Sequence, residues 1–416
     1  MKPLLSLLLF IVSLMIQAQE RTLVKADRLF DGVQLHYNWG VIVSGSQIEK
    51  VGPISELNSI EVNNTVSYPN STISPGLIEG HSHLLLYPYN QTDWNTQVLK
   101  EADTYRAIRG VVHAENTLQA GFTTVRDLGS EGAGYADVDL KKAINDGIVP
   151  GPRMLVAGRA IVATGSYGPK GFDRDQELML GAEASDGNDL IRTVRDQIGK
   201  GADVIKVYAD YRWGPNGEAK PTFTLQELKL ICEVAHSSGR SVVAHASSLE
   251  AIRRAIEAGV QTIEHGDELD RSTAQLMRER GVYFYPTLAA VESIESYRGW
   301  NKESQKETER LKKKKNSFSI ALKEGVSIGM GGDVGVYPHG ENALEMELMQ
   351  EYGMKSLEVL KSTTSLNAKA FNLHNLGQLK EGFKADIIIV NGDPSKDIHQ
   401  MRSVLWVMKE GKVYKD

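Results

Sequence analysis

Ile73-Ser-Pro-Gly-Leu-Ile-Glu-Gly-His-Ser-His-Leu84 is a mostly apolar run that closes on two histidines one residue apart. Pro75 and Gly76 mark a turn, and the residues after them read as a buried strand. Residues i and i+2 of a strand share a face, so the imidazoles of His81 and His83 point into one space while Ser82 points away. Metal-binding side chains gathered at the carboxyl end of an apolar strand suit a barrel of parallel strands, whose chemistry sits at that end.

Seven further stretches have the same character: 121–129 (GFTTVRDLG), 152–161 (PRMLVAGRAI), 203–210 (DVIKVYAD), 241–247 (SVVAHAS), 262–266 (TIEHG), 282–288 (VYFYPTL) and 326–333 (VSIGMGGD). Helical patterns separate most of them, such as 222–239 and 248–259, and glycines such as Gly259 and Gly281 mark helix stops before the next strand. Eight strand–helix units over about 300 residues predict an α/β fold, a (β/α)8 TIM barrel, over residues 74–375. Residues 19–73 and 376–416 alternate apolar and polar residues between turns such as Asn391-Gly392 and Glu410-Gly411. They predict a β-sandwich domain formed from both termini. The irregular stretch 164–188, rich in Gly and Asp, follows the third strand and is expected to lie over the active face.

The chain opens on MKPLLSLLLFIVSLMIQAQE. Lys2, an apolar run from Leu4 to Ile16 and small or polar residues at Ala18 and Gln19 make residues 1–18 an expected signal peptide. The run is short for a bilayer span, and no later segment reaches the ~20 apolar residues needed. The expected location is periplasmic or secreted, with no membrane attachment after signal cleavage. A formal net charge of −6 lacks the basic surface that a nucleic-acid partner calls for. The run Lys312–Lys315 reads as a solvated helix face. Cys232, the single cysteine, excludes an intramolecular disulfide and reads as a small buried hydrophobe.

Beyond His81 and His83, the fourth strand carries Lys206 inside an apolar run, the fifth ends at His245, the sixth at His265 and the eighth at Asp333. A buried ammonium is costly unless paired or neutralised. Lys206 is therefore either paired with a carboxylate or N6-carboxylated, its amine having reacted with CO₂ to give a carbamate able to bridge two cations. Imidazoles and a carboxylate suit zinc with a position left open for water. Tyr208 shares the parity of Lys206, and Arg126, Arg159, Tyr167 and His339 fall near strand ends or loops; an arginine or tyrosine there could grip a substrate carboxylate.

These stretches, with AIRRAIEAGVQTIEHG at 251–266, YPHGEN at 337–342 and LGQLKEGFKADIIIVNGDP at 376–394, resemble the amidohydrolase superfamily in its binuclear form, over nearly the whole chain after the leader. The likeness is closest to the imidazolonepropionase-like and Xaa-Pro dipeptidase-like branch. It implies two divalent metal ions of the Zn²⁺ type. His81, His83 and Asp333 would hold the more buried one, His245 and His265 the more exposed one, and Lys206 would bridge both. It also implies that Asp333 is the catalytic proton carrier. Many relatives have threonine before this aspartate where this chain has Gly332. The implied reaction is hydrolysis of an amide-type C–N bond in a small molecule, such as a dipeptide or N-acyl amino acid. Other readings are a cyclic-amide hydrolase, a deaminase and a non-catalytic binding protein. Deamination is disfavoured by Lys206 and by the Ala-Ser-Ser-Leu that follows His245. Association into a homo-oligomer is compatible with the sequence.

Overall fold

The computed structural model describes residues 20–173 and 175–416; the expected signal peptide lies outside them. Both ends of the chain build one eight-stranded sheet. From one edge its order is Lys412–Lys415, Val404–Lys409, Ile387–Asn391, Asn64–Pro75, Arg21–Phe30, Trp39–Ser44 and Gln47–Pro53, with Leu35–Tyr37 added beside Arg21–Phe30. Asn64–Pro75 is the seam, parallel to Arg21–Phe30 and antiparallel to Ile387–Asn391. Where a two-sheet sandwich is expected, this is a single sheet that curls. Ile48 N–H donates to Phe383 O at 2.8 Å and Ala385 N–H to Ser46 O at 2.9 Å, so the hairpin at one end of the strand order reaches the segment leading into Ile387–Asn391. Val24, Val41, Val43, Ile73, Ile387, Ile389 and Trp406 form the enclosed core. The alternate residues Ile388, Val390 and Val407 turn to the opposite face and join the main core of the molecule.

The middle of the chain is mixed α/β. Parallel strands form at Leu77–Ser82, Phe122–Asp127, Arg153–Val156, Ile205–Tyr208, Val242–Ala246, Thr262–His265 and Tyr283–Tyr285. The expected third strand breaks at Gly158, in a left-handed turn with φ 68°, and resumes at Ile161–Val162. The strands fall into a three-stranded and a six-stranded ladder. On one side Asp203 N–H reaches Val156 O at 2.8 Å. On the other, residues 327–334 lie between the last strand and the first. Phe284 N–H donates to Ser327 O at 2.9 Å and Gly80 N–H to Met330 O at 3.1 Å. This expected eighth strand makes only isolated bridges, at Ile328 and Val334. Its glycines let it press on its neighbours: a Cβ on Gly329 would lie 2.3 Å from the Tyr285 ring, and one on Gly331 2.8 Å from His81 N.

Helices pack outside the strands and bury one face each. In Glu309–Glu324 that face carries Leu311, Lys314, Phe318 and Ala321. Lys314 is therefore 1% exposed, and only part of the lysine run is the solvated face expected. Cys232 is buried among apolar residues. Among the described residues no helix is long and apolar enough to cross a membrane.

Candidate active site

The first strand runs directly out of the terminal sheet and delivers His81 and His83. The Nδ1 of His81 donates to Glu264 Oε2 at 2.8 Å and that of His83 to Gly129 O at 2.9 Å. Both partners accept only, so Nδ1 is a donor in each ring and Nε2 is the nitrogen turned to the site. The two Nε2 atoms converge on Asp333 Oδ1, at 3.5 and 3.3 Å. His265 Nδ1 lies 2.8 Å from Thr287 Oγ1, whose own proton goes to Pro286 O, so His265 also donates from Nδ1 and presents Nε2. Nitrogen or oxygen atoms of His81, His265 and Asp333 lie within 4.8 Å of one another, close enough to share a cation. The ring of His245 is 4.4 Å from that of His265. Its Nε2 faces Asp210 Oδ1 at 3.6 Å, which leaves Nδ1 unclaimed. Asp210 is held in turn by Ser247 N–H and by the N–H and hydroxyl of Ser248.

Lys206 is 2% exposed. Its Nζ lies 5.6 Å from the centre of the Tyr208 ring, and among the described residues no side chain forms a hydrogen bond or ion pair with it. The pairing with a carboxylate that the sequence left open is therefore absent. Burial pulls its amine below the ordinary lysine range, against the pull of Glu264 and Asp333.

Burial, with the Lys206 charge, holds His245 neutral with a pKa near 3; burial also pushes His81 and His265 well below the usual range. Burial would raise Asp333, yet the adjacent His81 and the hydrogen bond and charge of His83 hold it at about 2. Burial likewise disfavours a charged His83, but Asp333 outweighs it and lifts His83 to about 9. Three neutral imidazoles and an ionised carboxylate are already in the protonation state that cation binding requires, and the His83 proton is the one a cation would displace.

A layer behind these groups fixes them. Glu264 accepts from Arg126 Nη2 at 2.8 Å and Thr262 Oγ1 at 2.6 Å. Arg126 was expected near the mouth; instead it is fully buried beneath His81, donates from Nε to Gly80 O at 2.7 Å and is sandwiched between Tyr285 and Phe371. Glu79 Oε1 accepts from His81 N–H at 3.0 Å and Gly332 N–H at 2.9 Å. That one carboxyl group braces the histidine strand against the Asp333 turn.

The groups open into a cavity of about 200 Å³, lined also by Tyr89, Glu131, Tyr167, Tyr208, Tyr211, Arg212, Asp267 and Arg310. The expected substrate residues divide. Tyr167, from the long loop, and Tyr208 line the cavity. Arg159 pairs with Glu183 at 2.6 Å, away from it. His339 is buried, stacks on His113 at 4.2 Å and reaches Leu86 O at 3.1 Å. Neither Arg159 nor His339 lines the cavity. Sequence reading missed Glu131, Tyr211, Arg212, Asp267 and Arg310. Tyr211 and Arg212 had a signal, because they lie within four residues after Tyr208, where the strand that carries Lys206 ends. Arg310 had none, since a helix far along the chain brings it in.

The model of the amidohydrolase family matches residues 72–414. The ochratoxinase of Aspergillus niger is 30% identical over 92% of this chain and 84% of its own length. Its crystal structure has a TM-score of 0.81 and 28% identity, covering 96% of each chain. The crystal structure of a Xaa-Pro dipeptidase with methionine in its active site has a TM-score of 0.84 and 30% identity, covering 95% of this chain and 100% of that one. A prolidase complexed with N-methylphosphonate-L-proline has a TM-score of 0.81 and 27% identity, covering 95% and 99%. With its histidine–aspartate cluster at the cavity floor, the chain is a hydrolase acting on carbon–nitrogen bonds and belongs to the amidohydrolase family.

Proposed function

We propose that this chain is an exported, binuclear, zinc-type amidohydrolase that cleaves the amide bond of a dipeptide or N-acyl amino acid, in the manner of Xaa-Pro dipeptidases and carboxypeptidases. The observation that carries the reading is the convergence of four imidazoles and Asp333 on one small cavity, with the buried Lys206 behind its Tyr208 wall. The similarity to the dipeptidase and the prolidase supports the substrate class, and the apolar leader supports export to the periplasm or beyond. We read the two parallel ladders and residues 327–334 as one (β/α)8 barrel.

The donor set fits two divalent cations. His81, His83 and Asp333 would hold one, His245 and His265 the other. Lys206, once its amine has added to CO₂ with loss of a proton, would offer one carbamate oxygen to each. When bound, the cations supply Lewis acidity that makes water easier to deprotonate and the scissile carbonyl more electrophilic. Asp333 accepts a proton from water as its oxygen adds to the carbonyl carbon. It returns that proton to the nitrogen as the C–N bond breaks, giving a carboxylic acid and an amine. Tyr208 and Tyr167 wall the cavity on the side of Lys206. Arg212 and Arg310 at its rim suit a substrate carboxylate.

The test is metal analysis of purified protein, followed by assay of Xaa-Pro dipeptides, other dipeptides and N-acyl amino acids before chelation, after it, and after zinc is restored. Two cations per chain and chelator-sensitive cleavage are expected. Two cations without cleavage of any amide would replace the reading with that of a binding protein.

A further inference from the structure

Glu131 is 3% exposed yet lines the cavity. Oε2 accepts from Tyr167 Oη at 2.6 Å and Trp94 Nε1 at 2.9 Å, and Oε1 from Tyr208 Oη at 3.0 Å. All three donors are neutral. Among the described residues no Lys, Arg or His nitrogen forms an ion pair with this carboxylate. Arg106 spends its guanidinium on main-chain carbonyls: Glu131 O at 2.8 Å, Ser130 O at 3.0 Å and Leu85 O at 3.1 Å. The backbone of Glu131 is left-handed, with φ 49°, a conformation disfavoured for a residue with a side chain. A buried carboxylate on a strained turn, fixed by three neutral donors and facing open space, has no direct cationic partner among the described residues.

The rest of the cavity wall supplies the complement. Asp267 is already paired with Lys314. Among the described residues Arg212, exposed at the rim, has no hydrogen bond to its guanidinium, and Arg310 makes a loose contact to Glu295 at 3.9 Å. Of the two free charge signs in the cavity, the negative one is therefore deep, near His83, and the positive one is at the rim. A free dipeptide carries its ammonium on one side of the scissile carbonyl and its carboxylate on the other.

We propose that Glu131 receives the α-ammonium group of the substrate, so that the enzyme selects dipeptides with a free amino terminus over N-acyl amino acids. This rests on the amidohydrolase reading above and narrows it. In the bound state the substrate ammonium donates to Glu131, and the three aromatic donors keep the carboxylate aimed at it. N-acyl amino acids leave the carboxylate unpaired and lose that interaction.

The test uses a matched pair: an alanyl amino acid and its propanoyl counterpart, which lacks only the amine. For wild-type holoenzyme the alanyl member should have a kcat/KM about 100-fold higher, the size expected for a lost charged hydrogen bond. That advantage should fade as pH rises through the α-amino pKa, near 8, while propanoyl cleavage lacks this limb. Glu131→Gln keeps the shape. Its carbonyl can still accept from Tyr167 and Trp94, and its amide can donate to the Tyr208 oxygen. The alanyl-to-propanoyl ratio should then fall towards one, and propanoyl turnover in the same preparation reports whether the variant is folded. An equal loss on both substrates would make Glu131 a structural support and overturn the assignment. A wild-type preference for the propanoyl member would also overturn it, while leaving the amidohydrolase reading standing. Cleavage of neither would sink the substrate class and the assignment together.

Discussion

Lys314→Met removes a cation that the lysine-rich run makes look dispensable. Lys314 Nζ donates to His265 O and Pro286 O, both at 2.8 Å, and pairs with the carboxylate of Asp267. It thereby ties together the ends of the sixth and seventh strands, where His265 and Thr287 both hold left-handed backbones, with φ 74° and 51°. Methionine has similar length but no charge. It leaves the half-buried Asp267 without its partner and two carbonyls without their donor. Breaking a buried pair from one side costs about 3–5 kcal/mol, a large part of the ~5–15 kcal/mol total stability of a folded domain. Urea unfolding of the chelated protein at pH 7 should show this loss. Asp267→Asn in the same chain should recover part of it, since no unpaired charge then remains. Because Lys314 holds the main chain of His265, zinc affinity should also weaken, by roughly 10–100-fold as for other groups that orient a ligand. Lys312→Met, on the solvated face, is the control and should leave the unfolding midpoint in place. If Lys314→Met unfolds within about 0.5 kcal/mol of wild type, as surface changes do, the clamp does not exist.

Three further outcomes concern the site and the buried histidine pair beside it. Lys206→Ala should lose bound metal, measured by elemental analysis, and millimolar acetate or propionate should restore part of it by replacing the bridging oxygens; full metal content without added acid would remove Lys206 from the centre. Asp333→Asn should lower kcat by about 10³-fold or more with little change in circular dichroism; near-normal turnover would discard it as proton carrier. His113, stacked on His339, is held near pKa 4 by burial. Its folded pKa lies below the unfolded value of ~6.5. Its contribution is therefore complete above pH 6.5 and is lost as pH falls towards 4, a change on the order of 3 kcal/mol. Acid unfolding that is equally steep in His113→Asn would refute this.

The parts of the site that obey strand parity were legible in the sequence. His81 and His83 are two apart on a strand, and Lys206 sits in an apolar run where a charge needs a reason. The structure brings these together with His245, His265 and Asp333. What stayed hidden depends on helices and loops whose partners are far away in sequence. Lys314 lies within a run of four lysines, and only its spacing from Leu311 and Phe318 betrays the buried face. Glu131 follows a glycine turn in a stretch with no periodicity. Arg126 could be placed on a strand but not at a depth, because its burial depends on Glu264, 138 positions later. The terminal strands were readable as strands, while their curling into one sheet rests on contacts between residues 46–48 and 383–385.

Asn64–Pro75 leads through Gly76 into Leu77–Ser82, and a Cβ on Gly76 would lie 2.2 Å from Thr123 Oγ1. One edge of that seam strand is covered only by Ile387–Asn391. During synthesis the strand bearing His81 and His83 thus waits, with an unpaired edge upstream, until the final thirty residues have emerged. A chain stopped short of Ile387 should fail to assemble its metal centre although every ligand has already been made.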